Sequence, residues 1–169
     1  TRTIFLVNLI GTLFIAGLFA GIWLLYRKQS VHGWFALLNL AWALFIHNVV
    51  ATSPWPFTEV ASVARANAVV FMMFCTCYCI FIFQMQGRAL ARRHERWLLC
   101  LTAGLSLLVV LVPEKQLNPA IYLGTRTHML VFVIACIVPL FHVWRSRKLQ
   151  DALHASPGLA FLIIAVRDT

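Results

Sequence analysis

The chain has 169 residues, of which 62% are hydrophobic and only 11% charged. A soluble domain is about 45–50% apolar and about 25% charged, so this chain carries more apolar surface than a soluble protein of its size can hide. The composition excludes an ordinary soluble fold and points to an integral membrane protein, or a membrane piece of one. The net charge is +9, from 14 Lys and Arg against 5 Asp and Glu. In a soluble protein that balance would indicate nucleic acid. Here the basic residues form short clusters between apolar runs, as cytoplasmic loops do. No aromatic, glycine-punctuated basic patch of the RNA-binding kind accompanies them. Nucleic acid is not an expected partner.

The first apolar run is Thr3–Tyr26, ended by Arg27 and Lys28. The second, Gly33–Val50, stops at the breaker Ser53–Phe57, and the third, Thr58–Gln84, stops at the basic stretch Gly87–Arg96. The fourth is Trp97–Val112, closed by Pro113 and a polar stretch to Asn118 and Pro119; the fifth is Ile121–Trp144. A partial sixth occupies 158–169. Each complete run has roughly 16–27 residues, close to the ~20 that cross about 30 Å of hydrocarbon. Backbone groups in lipid must bond internally, and no two-residue alternation marks a barrel, so the runs predict helices. The expected fold is all-α, a single polytopic bundle over residues 1–169 with five complete spans and the start of a sixth. The opening TRTIFLV lacks an initiator Met and an A-x-A cleavage site, so it does not read as a signal peptide. The chain is expected to be a piece of something longer.

Loop charge gives an orientation. The loops after helices one, three and five hold Arg27, Lys28, Arg88, Arg92, Arg93, Arg96, Arg145, Arg147 and Lys148, against Lys115 alone in the other two. The positive-inside rule then places the N-terminus outside and the basic loops in the cytoplasm. Trp55, Tyr122 and Trp144 fall near the expected interfaces, as an aromatic belt does. No internal repeat is evident, and Pro139 is the single proline inside a complete run.

The stretch Leu24–Leu44 (LLYRKQSVHGWFALLNLAWAL) is a helix end, a short basic turn and an aromatic-led second helix. With the outside N-terminus, the basic loop after helix three and the closing Val166–Thr169 (VRDT), it resembles the membrane domain of the bacterial 7TMR-DISM receptors, the seven-transmembrane receptors with diverse intracellular signalling modules. The likeness covers nearly the whole chain. It implies a periplasmic sensor domain before this segment, a seventh helix, and a cytoplasmic output domain after it. A histidine kinase is the first choice for that output and a diguanylate cyclase the second. The implied location is the bacterial inner membrane, with a homodimer as one option for assembly.

Polar residues within spans are the informative ones, because a charge in the membrane is costly and faces the bundle interior or a cavity. His47 and Asn48 end helix two, Glu59, Arg65 and Asn67 lie in the outer part of helix three, Arg126 and His128 lie early in helix five, and Asp168 closes the sixth run. All are expected near one depth on the outer side, as a polar cluster that senses a ligand or the ectodomain. Interfacial snorkelling is the plain alternative. Arg65 lies about 10 Å below the start of its span at ~1.5 Å per residue, and Asp168 is its expected partner, with Glu59 second. Removing one member of such a buried pair costs about 3–5 kcal/mol.

Cys75, Cys77 and Cys79 invite a metal, but on one helix Cys77 points nearly opposite to the other two. Zinc demands four converging ligands, so these thiols, with Cys100 and Cys136, read as small packing residues. His32, His94 and His154 fall in loops, and His142 at a helix end. No H-E-x-x-H, G-x-S-x-G or P-loop is present. No cofactor and no active site are expected. The functional expectation is a signal-transducing module, with a small transporter as the main rival and a membrane-embedded enzyme third. Single-cysteine labelling in a cysteine-free background checks the orientation: positions 92 and 147 should resist an impermeant external reagent, and position 118 should react. External labelling at 92 would overturn it.

Overall fold

The computed structural model describes residues 2–50, 59–85 and 92–146. They form five long helices: α1 (Arg2–Leu25), α2 (Ser30–Val50), α3 (Val60–Met85), α4 (Arg92–Leu111) and α5 (Leu117–Ser146), with a 3₁₀ turn at Glu114–Gln116 between the last two. The described residues contain no strand. All five helices are long and apolar enough to cross a membrane, and the protein is an all-α, multi-pass membrane bundle. The sixth run and the Arg167–Asp168 pair lie outside the described residues.

Helix ends depart from the apolar runs where end chemistry allows it. α2 begins at Ser30 and α4 at Arg92, several residues ahead of their apolar segments. The basic stretch 92–96 is therefore helical, and Glu95 in that first turn offsets arginines set against the positive end of the helix dipole. α5 begins at Leu117 rather than beyond Pro119. Proline in a first turn sacrifices only an N–H that has no partner there. Further along, α5 continues as one helix through Pro139.

The bundle is organised on α3. Its most apolar window is 56% buried, against 11% for α1 and α4. α2, α4 and α5 all pack on α3, α4 also meets α5, and α1 packs chiefly on α2. Lipid gives no hydrophobic drive to helix association, so close approach depends on small residues. The buried set matches that need: Ala36, Ala41, Ala43, Ala68, Ala120 and Ala135, with Cys75, Cys77, Cys79 and Cys136. All three cysteines of α3 are buried although they face different directions, because α3 has neighbours around it. Rings fill the remaining space, with Phe35 on Phe81 (4.9 Å between centroids), Trp42 on Phe74 (5.3 Å) and Tyr78 on Phe132 (4.6 Å).

α3 and α5 run parallel, pairing Met72 with Gly124 and Tyr78 with Cys136. α4 is antiparallel to both. The α3–α5 crossing turns on Gly124, where an added Cβ would stand 2.8 Å from Sδ of the fully buried Met72. Gly124→Leu should lower bundle stability by about 1–3 kcal/mol, the usual cost of overpacking, and adding Met72→Ala should return part of it. Thermal unfolding in detergent reads both. An equal loss in the single and double variants would mean the crossing does not set the fit.

Candidate functional site

Besides the weaker thiol contacts of Cys79 and Cys136 between α3 and α5, two polar contacts inside the bundle tie α4 to its neighbours. The upper one is built by Arg65, in the second turn of α3. Its guanidinium donates to the carbonyl of Val109 at 3.1 Å and to that of Val110. These carbonyls belong to the last turn of α4, where helix geometry leaves them without N–H partners, and the negative end of the helix dipole favours a cation there. A half-buried charge and an unsatisfied helix end thus complete each other. Among the described residues no carboxylate joins this contact; Glu59 is exposed, and the expected partner Asp168 lies outside the described residues.

The lower contact joins α3, α4 and α5. His128 is 2% exposed. Its Nδ1 lies 2.9 Å from the carbonyl of Gly124, one turn back, and its Nε2 lies 3.0 Å from Oγ1 of Thr102. A carbonyl can only accept, so Nδ1 carries a proton and donates. In the neutral ring Nε2 then accepts from the Thr102 hydroxyl. Thr76 stands 2.6 Å from the same Oγ1 and donates into it. The Thr102 hydroxyl also lies 2.8 Å from the carbonyl of Leu98, so its single proton has two acceptors to choose between.

Thr76 is eleven residues beyond Arg65, so the lower contact sits about 16 Å deeper at ~1.5 Å per residue. His128 therefore does not share a layer with Arg65. His47 and Asn48 are neighbours at the end of α2, with Nδ1 and Oδ1 3.4 Å apart. Arg126 is exposed and lies over the ring of Tyr122, 3.8 Å from its centroid. Asn67 buries an Oδ1 that has no hydrogen-bond partner, and Ser106 of α4 does the same with its Oγ. Among the described residues, His47 and Asn48 are the one pair of the expected cluster joined by a hydrogen bond.

Thr76 and Thr102 escaped the sequence reading. Threonine is ordinary in membrane helices, and its donor normally returns to its own backbone. A lone signal was available: a histidine in mid-helix needs two partners, and a threonine on a neighbouring helix is the cheapest. Among the described residues no group of three His, Cys, Asp or Glu side chains is placed to hold a metal.

Thr102→Val should strand Nε2 of His128 and lower stability by about 0.6–1.7 kcal/mol, the range for interhelical hydrogen bonds in a membrane bundle. Combined with His128→Leu the losses should fall short of additive; additive losses in detergent melts would show that the two side chains do not interact. Arg65→Leu should free the Val109 and Val110 carbonyls. Amide exchange over 109–112 should then accelerate, and unchanged protection there would refute the tether. No family model, no curated protein and no solved structure matches the chain.

Proposed function

We propose that this chain is the membrane-embedded signal-transducing module of a bacterial receptor. It sits in the inner membrane with its N-terminus outside, receives a signal from an extracytoplasmic sensor domain, and passes helix movement to a cytoplasmic output domain, a histidine kinase ahead of a diguanylate cyclase. The observation that supports this reading is the pair of discrete polar contacts across helix interfaces, Arg65 to α4 and Thr76–Thr102–His128 through three helices. A two-state bundle needs contacts that are either made or broken, and hydrogen bonds between helices have that character in a way that apolar packing does not. The Arg93, Arg96 and Trp97 side chains that begin α4 are exposed, as the cytoplasmic interface of this orientation requires.

A small transporter is the second reading, and the depth of His128 near the middle of α5 favours it, because transporters place polar groups at the midplane. Against it, both ring nitrogens of His128 are already engaged by Gly124 and Thr102, so no ring atom is left for a substrate.

The two readings separate in a fusion. Because Thr169 falls on the outer side in this orientation, a seventh membrane-crossing helix is appended there, dimerisation and catalytic domains of a histidine kinase are joined after it in the cytoplasm, and autophosphorylation is measured in membranes. Thr102→Val and Arg65→Gln should each change the basal level by about threefold, the population shift produced by about 0.6 kcal/mol of lost interhelical bonding. Identical autophosphorylation in all folded variants, or solute flux through proteoliposomes of the unfused chain, would overturn the signalling reading.

A further inference from the structure

Between α1 and α2 lies a groove of about 590 Å³. Its floor is made of small residues, Ala16, Gly17 and Ala20 on α1 with Gly33 and Ala36 on α2, and Trp23 stands at one end. The groove is open because nothing fills it from either helix: an added Cβ at Gly17 would meet no atom within 4 Å. Gly33 differs, since an added Cβ there would touch the Trp23 ring at 3.1 Å. That close approach fixes the indole as the wall where the groove meets the α1–α2 turn.

The turn itself is cationic. Arg27 lies over the Trp23 ring, 5.9 Å from its centroid, and Lys28 follows it. The turn Tyr26–Gln29 has no carboxylate, and the whole chain has 14 basic residues for 5 acidic ones. Ser30, which also lines this end, donates to Gln84 at the end of α3 and so holds the turn against the bundle. An apolar slot thus runs along the membrane-crossing part of α1 and ends under two cations at a membrane surface. Its volume falls within the ~300–1,000 Å³ of small-molecule sites.

We propose that this groove binds one anionic phospholipid, with an acyl chain against Ala16, Gly17 and Ala36 and the phosphate on Arg27 and Lys28. The charge at its end selects this occupant over a second helix. A helix would fill the slot with side chains but offer no anion to the turn, and a basic pocket between membrane helices is the recognised chemistry of lipid headgroups. The site is independent of the signalling reading, since none of its residues belongs to either interhelical polar contact.

The purified chain, delipidated in detergent, is mixed with equal amounts of dioleoylphosphatidylglycerol and dioleoylphosphatidylcholine and examined by native mass spectrometry. One phosphatidylglycerol should be retained, in roughly thirtyfold preference, as two basic residues near an anionic headgroup provide. Glycerol phosphate alone should not bind, because it lacks the chain. Arg27→Gln with Lys28→Gln, on an exposed turn, should abolish the preference. Gly17→Leu, whose Cβ would meet no atom within 4 Å and whose branch would occupy the slot, should reduce retention of both lipids while leaving the melting temperature unchanged. Equal retention of the two lipids, or retention that survives both variants, would overturn the proposal. So would a second copy of the chain held in place of lipid and lost in Gly17→Leu.

Discussion

Surrounded by hydrocarbon, a helix gains nothing by turning apolar side chains toward another helix, so a bundle in lipid holds together by how closely its backbones approach and by the few hydrogen bonds that cross between them. In this protein α3 meets that constraint for the whole assembly. Alanine and cysteine line its contacts, Gly124 lets α5 cross at the Met72 side chain, and its own Arg65 and Thr76 reach the neighbouring helices. α1, which touches little besides α2, shows the opposite situation, and its exposed leucines and phenylalanines are simply its lipid-facing surface.

The two polar contacts differ in kind. Arg65 joins a side-chain charge to backbone carbonyls that any α4 sequence would present, so it is insensitive to which residues stand at 109 and 110. The Thr76–Thr102–His128 chain depends on side chains at every link, and one hydroxyl proton there has two acceptors. In the proposed signalling role the first contact would serve as a hinge pin and the second as a latch. Movement would be referred to the pin and registered at the latch.

Hydropathy made the five spans and the alternation of direction legible, because bilayer thickness imposes a length on any apolar run that crosses it. Helix ends were less legible. The starts at Arg92 and Leu117 are decided by terminal chemistry, an acidic residue in one first turn and a tolerated proline in the other, and a hydropathy reading sees neither. The site was legible only in its demands. Arg65 stood out as a charge that needed a partner, and His128 only as one of several polar groups expected at one depth. Their partners did not, since one is a pair of backbone carbonyls with no sequence signature and the other a threonine that resembles many threonines. Reading carboxylates as the natural partners of arginine also overlooked that a helix end is itself a partial anion.

The span of chain between Arg65 and the carbonyls it holds, 44 and 45 residues, bears on how the protein enters the membrane. When α3 first leaves the ribosome, the acceptors for its guanidinium have not yet been synthesised. α3 is therefore a poor candidate for solitary insertion, despite its apolar length. It becomes comfortable in lipid when α4 folds back beside it and presents its last turn. The helical hairpin α3–α4, rather than the single helix, is the unit of assembly that this contact prescribes, with α1–α2 able to precede it and α5 joining when Gly124 seats against Met72.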